Sequence, residues 1–194
     1  NELGIIDGVT TNPSLIANPT VTYTSDEQTG SLSFTPLSDQ FGSATITVTV
    51  EDGGLDDNLA TTADNLTATT TFDVVVNPVN DLPLGDTPAN ISIAEDTPTT
   101  VNITGIAAGP NETQVLRLSA TSNNPGLIAN PTSNYTNGNT IGTINFTPQA
   151  DQNGTATITV TVEDGGADNN LNTTGDNLTS SSTFNVTVTP VNDA

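Results

Sequence analysis

The residues best equipped for chemistry are carboxylates gathered in two Gly-containing stretches, "EDGGLDDNLATTADN" at 51–65 and "EDGGADNNLNTTGDN" at 163–177. Each sets Glu and Asp where an alternating run ends, then Gly-Gly, then Asp and Asn at short spacing. Hard divalent cations take about six to eight oxygens from carboxylates, amides and backbone carbonyls, and a flexible Gly-rich loop can wrap such a set around one ion. The candidate metal ligands are Glu51, Asp52, Asp56, Asp57 and Asp64 in the first stretch, and Glu163, Asp164, Asp168 and Asp176 in the second. Calcium suits a loose multi-carboxylate loop better than magnesium, which demands a strict octahedron. The spacing matches neither the EF-hand loop nor the nonapeptide β-roll repeat. A metal-free loop of Asx turns is the competing reading, because Asp, Asn and Gly dominate turns anyway.

The remaining composition excludes most other chemistry. There is no Cys and no His, and Arg117 is the single base against 22 acids, for a formal charge of −21. Thiol catalysis, cysteine-bound metals, Ser-His-Asp hydrolysis and Schiff-base chemistry therefore lack their residues. Nucleic acid and anionic membranes need Lys or Arg to displace counterions, so neither is an expected partner. No run approaches the roughly 18–20 apolar residues of a membrane span, so no insertion is expected. Glu51 with Asp52, or Glu163 with Asp164, could serve as a glycosidase acid–base pair. Neighbours on a strand point to opposite faces, however, and no aromatic sugar platform is close by. The chain is expected not to be an enzyme.

These loops must be held by β-strands. Residues 12–81 return as 124–193, displaced by 112 positions, with 45 of 70 positions identical. That period is too long for a solenoid unit and suits one whole domain. "ATITVTV" at 44–50 and 156–162 alternates apolar residues with Thr, as a half-buried strand does. In the second repeat, strands are expected near 90–93, 100–103, 114–121, 143–147, 156–162 and 182–189, and the Asn-Pro steps at 124–125 and 130–131 force turns or an edge position. With no helical periodicity, the expected class is all-β: tandem immunoglobulin/cadherin-like β-sandwiches of about seven strands each. Ile158, Val160 and Val162 should face a core with Phe146, Phe184, Val186 and Val188, and the intervening Thr residues should face solvent. The expected domains are 1–81, a sandwich lacking its first strands, and 82–194, a complete one. A cut through a longer polypeptide accounts for the gap, and a strand from a neighbouring copy is the alternative.

In such a sandwich the last two strands are antiparallel, so the 163–177 loop should lie beside the junction "NPVNDLPLGD" at 77–86. One cluster of Asp81 and Asp86 from this junction, and Glu95 and Asp96 from the next strand, with the late loop would make an interdomain cation site. By the same logic 51–65 faces whatever precedes the first residue.

"TPVNDA", "AEDTP" and "GTATITVTVEDGG" resemble the cadherin-like and immunoglobulin-like tandem repeats of very large secreted bacterial surface proteins, over nearly the whole chain beyond residue 11. The resemblance implies an extracellular stalk or adhesin segment at the bacterial surface or in a secreted fibre, stiffened by calcium. It also implies that Glu95 and Asn80–Asp81, with Asn192–Asp193 repeating at the end, fill the places of the cadherin interdomain ligands. The central Asp-Arg-Glu motif of true cadherins is missing. The expected function is a structural spacer whose partners are neighbouring repeats of the same protein. The alternatives are a filament homopolymer built by strand donation, and a carbohydrate or surface-ligand binding module using Tyr23 and Tyr135. Arg117 is expected to be a surface salt-bridge partner.

Overall fold

The computed structural model describes residues 3–25, 27–61 and 63–192. Among them no helix is long and apolar enough to cross a membrane. The chain is all-β. Its strands are β1 (Leu3–Thr10), β2 (Thr20–Thr22), β3 (Ser31–Ser33), β4 (Gly42–Asp52), β5 (Thr67–Val76), β6 (Ile91–Ala94), β7 (Thr99–Ile103), β8 (Leu116–Ser122), β9 (Thr132–Asn134), β10 (Gly142–Phe146), β11 (Gly154–Asp164) and β12 (Thr179–Thr189). Two compact units divide the chain, Asn1–Pro78 and Val79–Ala194. Asn80 and Asp81 therefore belong to the second unit.

The second unit is a two-sheet sandwich, with strand orders β6-β12-β11-β8 and β7-β10-β9. The alternation of β11 explains its place at the centre. Ala156, Ile158, Val160 and Val162 are buried on one face, and the Thr residues between them are half-buried on the other. Phe184, Val186 and Val188 of β12 and Ile144 and Phe146 of β10 complete that core. The Asn-Pro steps act as expected. Asn124 accepts backbone bonds from Leu127 and Ile128 in a tight turn, and β9, just after Pro131, pairs with β10 alone. β6 is an edge strand that runs parallel to β12, with Val186 opposite Ile91 and Val188 opposite Ile93.

The first unit repeats this plan only in part. Its sheets are β1-β4-β5 and β2-β3, the counterparts of β8-β11-β12 and β9-β10. Among the described residues, nothing in this unit stands where β6 and β7 stand in the second. Leu15, Ile16, Ala44, Ile46 and Val48 are still buried. The far side of the core is open: Phe72 is 39% exposed where its counterpart Phe184 is 2%.

Candidate functional site

Asp164 ends β11 on its inward-facing side, in phase with Val160 and Val162, and is 0% exposed. One carboxyl oxygen, Oδ1, accepts the backbone N–H of Gly166 at 2.8 Å and of Leu178 at 2.9 Å. The Asn80 side-chain amide donates to the same oxygen at 3.2 Å. The other oxygen, Oδ2, is buried and has no hydrogen-bond partner among the described residues. A buried carboxylate oxygen without a donor costs free energy, and a cation is one way to relieve it.

Asn80 ties three segments together. Its amide nitrogen also donates to the carbonyl of Asp176 at 2.9 Å, and its oxygen accepts Gln114 Nε2 at 2.5 Å. Gln114 Oε1 is then a second buried oxygen with no partner. Beside it, both Glu112 carboxyl oxygens accept the backbone N–H of Asp81, at 3.2 and 3.3 Å. Burial pushes the Glu112 carboxyl above its ordinary range. The Asp81 N–H pulls it down, and the charges of Asp81 and Asp164 push it further up. Glu112 and Gln114 also line a depression of about 280 Å³ with Ile106, Leu116, Tyr135 and Asn137. Sequence reasoning missed Glu112 and Gln114, since neither lies in a motif; only the fold brings them beside Asn80.

The sign of the Glu112 effect is definite. A carboxyl whose folded pKa is raised binds its proton more tightly when folded. Its penalty is absent at low pH and grows as pH rises through the folded pKa. In metal-free buffer Glu112→Gln is therefore expected to stabilise the second unit at neutral pH and to flatten this part of the pH profile. The gain should be under about 1 kcal/mol because the group is only partly buried. Urea melts at acid and neutral pH measure it.

The acidic loops are ordered by aspartates that cap their own turns. Asp52, the counterpart of Asp164, accepts Gly54 N and Leu66 N, each at 3.0 Å, and these bonds hold its carboxyl below the usual range. Asp64 Oδ2 accepts Leu55 N at 2.7 Å, and Asp176 Oδ2 accepts Ala167 N at 2.8 Å. Thr61 donates its hydroxyl to Asp56, and Thr173 does so to Asp168. Asp168 also caps Asn170 N at 3.0 Å. Both loops turn at a glycine in the left-handed region, Gly54 at φ 62° and Gly166 at φ 61°. A Cβ on either would lie 2.6 Å from the carboxyl carbon of Asp64 or Asp176. Thus most of these carboxylates cap turns, which accounts for a long polar loop being ordered. Asp57 is a left-handed residue of the same loop, at φ 58°.

Three expected groupings are corrected. Glu163 points away from Asp164: it faces Arg117 across β8 and β11, and Arg117 Nε donates to Glu163 Oε2 at 3.0 Å. Glu163 Oε1 accepts Asn177 Nδ2 at 3.3 Å, as Glu51 Oε1 accepts Asn65 Nδ2 at 3.0 Å. Both glutamates are engaged on the strand face opposite the aspartates, as alternation requires. Glu95 and Asp96 do not join Asn80. β6 is parallel to β12, so its C-terminal end lies at the opposite end of the sandwich, where buried Glu95 accepts Val191 N at 2.6 Å. Asp96 forms the adjoining turn at φ 60°. Asp86 accepts the Thr104 hydroxyl at 2.7 Å instead of joining the cluster. Asp193 lies outside the described residues.

Among the described residues, no group of three or more His, Cys, Asp or Glu side chains is placed to hold a metal ion. What the fold does bring together in the second unit is Asn80, Asp81, Glu112, Gln114, Asp164 and Asp176, a mixture of carboxylates and amides. Two buried oxygens there, Asp164 Oδ2 and Gln114 Oε1, have no hydrogen-bond partner among the described residues.

No protein-family model matches the chain, and no curated protein matches it. Solved structures of a surface-layer protein, SbsC, are similar at low identity. Domains 1–6 of SbsC give a TM-score of 0.41 at 17% identity, over 96% of this chain and 20% of that one. SbsC domains 4 and 5 give 0.39 at 18% identity, over 94% of this chain and 69% of that one. SbsC domains 4–9 give 0.40 at 19% identity, over 96% and 22%. The chain thus spans a fifth of the length of the first of these.

Proposed function

We propose that this chain is a structural spacer, a pair of tandem β-sandwich units of an extracellular bacterial surface protein or fibre, stiffened by calcium. The observation that carries the reading is the duplication itself: 45 of 70 positions repeat at a displacement of 112, and the main turn-capping bonds of the loops recur in both copies. Repetition of a whole domain supplies length and spacing, and a single reactive site needs no such copy. The acidic surface favours solubility, repels nucleic acid and membranes, and draws divalent cations. No enzymatic role is proposed, because the carboxylates that could act are tied to turn backbones, to Asn65 or to Arg117. Calcium would be held in the second unit by the unpartnered oxygens of Asp164 and Gln114 with the Glu112 carboxylate, and Asn80 would orient them. Bound there, it would supply the positive charge that these oxygens lack. Its role is to tighten the fold, and the partners are neighbouring repeats of the same protein.

Stretching single molecules of the chain tests the spacer role. The second unit should resist and then release about 40 nm of contour, the extended length of its ~110 residues. Extension without a discrete unfolding event would refute a mechanical role.

A further inference from the structure

The depression beside Glu112 in the second unit has a side that a metal ion would leave unused. Buried Ile106, Ala108 and Leu116 line it, and Tyr135 adds an aromatic wall. Glu112 and Gln114 supply its polar side. Bonds of the lining hold it in shape. Tyr135 donates its hydroxyl to the Asn139 carbonyl at 2.9 Å, and Asn137 Oδ1 accepts Leu116 N at 3.0 Å. Ile106 N donates to the Thr140 carbonyl at 3.1 Å. The space of about 280 Å³ is therefore present before any ligand arrives.

Glu112 and Gln114 offer acceptors there. Gln114 spends its amide nitrogen on Asn80, and its Oε1 has no partner among the described residues. The two Glu112 oxygens share one N–H, that of Asp81, although a carboxylate has about four lone-pair sites. Gly109 leaves room for this carboxyl: it sits at φ 134°, and a Cβ on it would lie 2.7 Å from Glu112 Oε2. Acceptors beside an apolar floor and an aromatic ring complement a cation that carries its own apolar stem. A neutral apolar ligand would leave the carboxylate unmet, and an amino sugar would set hydroxyls against Ile106 and Leu116. A primary alkylammonium meets every part, with N–H donors for the oxygens, methylenes for the floor and charge for the ring.

We propose that this depression is a pocket for a lysine side chain of a partner protein. The sequence has no Lys, and its one base, Arg117, is bound to Glu163, so the amine comes from outside this sequence. A formal charge of −21 steers a basic partner to the surface, and the pocket gives one of its lysines a defined seat. The pocket shares Glu112 with the calcium role but does not rest on it, because its amine binds without metal.

Nuclear magnetic resonance of the labelled full chain, titrated with n-butylammonium in EDTA at constant ionic strength, tests the pocket. Amide signals of Gln114, Leu116 and Asn137 should shift and saturate at roughly millimolar amine, and Nα-acetyl-lysine amide should reproduce them. Glu112→Gln should weaken binding roughly tenfold, as loss of a charge-assisted hydrogen bond does. Asp151→Asn removes the same charge from the turn before β11, at the other end of that strand, and should leave binding unchanged. Shifts that never saturate, that sodium reproduces or that survive Glu112→Gln would overturn the proposal, as would binding of butylammonium without the lysine amide. A chain that takes the amine and ignores calcium refutes the calcium role alone. One that answers calcium and not the amine refutes the lysine pocket alone.

Discussion

Asp164→Ala is expected to cost the second unit on the order of 3 kcal/mol or more, enough to threaten its folding at room temperature. The carboxyl holds together β11, the loop turn at Gly166, the start of β12 at Leu178, and Asn80. Removing it strands two backbone N–H groups and an amide inside the protein, each with the penalty of a buried donor left unmet. Asp164→Asn is the informative companion. It keeps one acceptor oxygen while discarding the negative charge and the unpartnered carboxylate oxygen, so in metal-free buffer it should be far milder than alanine. Asp52→Ala removes two equivalent backbone bonds at a half-buried site, and the first unit should lose much less. Chemical denaturation with residue-level hydrogen exchange separates the units.

Phe184→Ala should be comparably severe, about 3–5 kcal/mol, since the ring is 2% exposed and its removal leaves a cavity lined by Ile and Val. Phe72→Ala changes the same residue in the same strand position of the other unit, yet should cost only about 1 kcal/mol, because 39% of that residue already meets water. The contrast isolates what β6 and β7 contribute, with identity and register held constant. Equal losses in both units would mean that the first core closes by some other route.

Much of this architecture is legible in the sequence because β-strand alternation is a local signal. β11 reads as Ala-Thr-Ile-Thr-Val-Thr-Val, and its apolar positions are the buried ones. The meeting of the junction with the 163–177 loop is legible too, since antiparallel pairing of β11 with β12 leaves the loop at the end where residue 80 arrives. What cannot be read is pairing direction and long-range company. Parallel pairing of β6 with β12 sends Glu95 to the other end of the sandwich, and nothing in "NISIAEDTP" distinguishes parallel from antiparallel. Glu112 and Gln114 follow no motif and acquire meaning only when Asn80 folds against them. The role of the loop aspartates was concealed by their suitability for two tasks, as turn caps and as metal ligands, and the backbone claims most of them.

In the function proposed above, the carboxylates and amides around Asn80 hold a cation that tightens the second unit. Calorimetry of the full chain in calcium and in EDTA, with Glu112→Gln beside it, tests this most directly. The unmodified chain should show its upper transition rise as calcium is added. Glu112→Gln should start higher in EDTA, relieved of repulsion, and gain less from calcium, so that the two curves cross. Identical upper transitions in calcium and EDTA for both proteins would contradict the account.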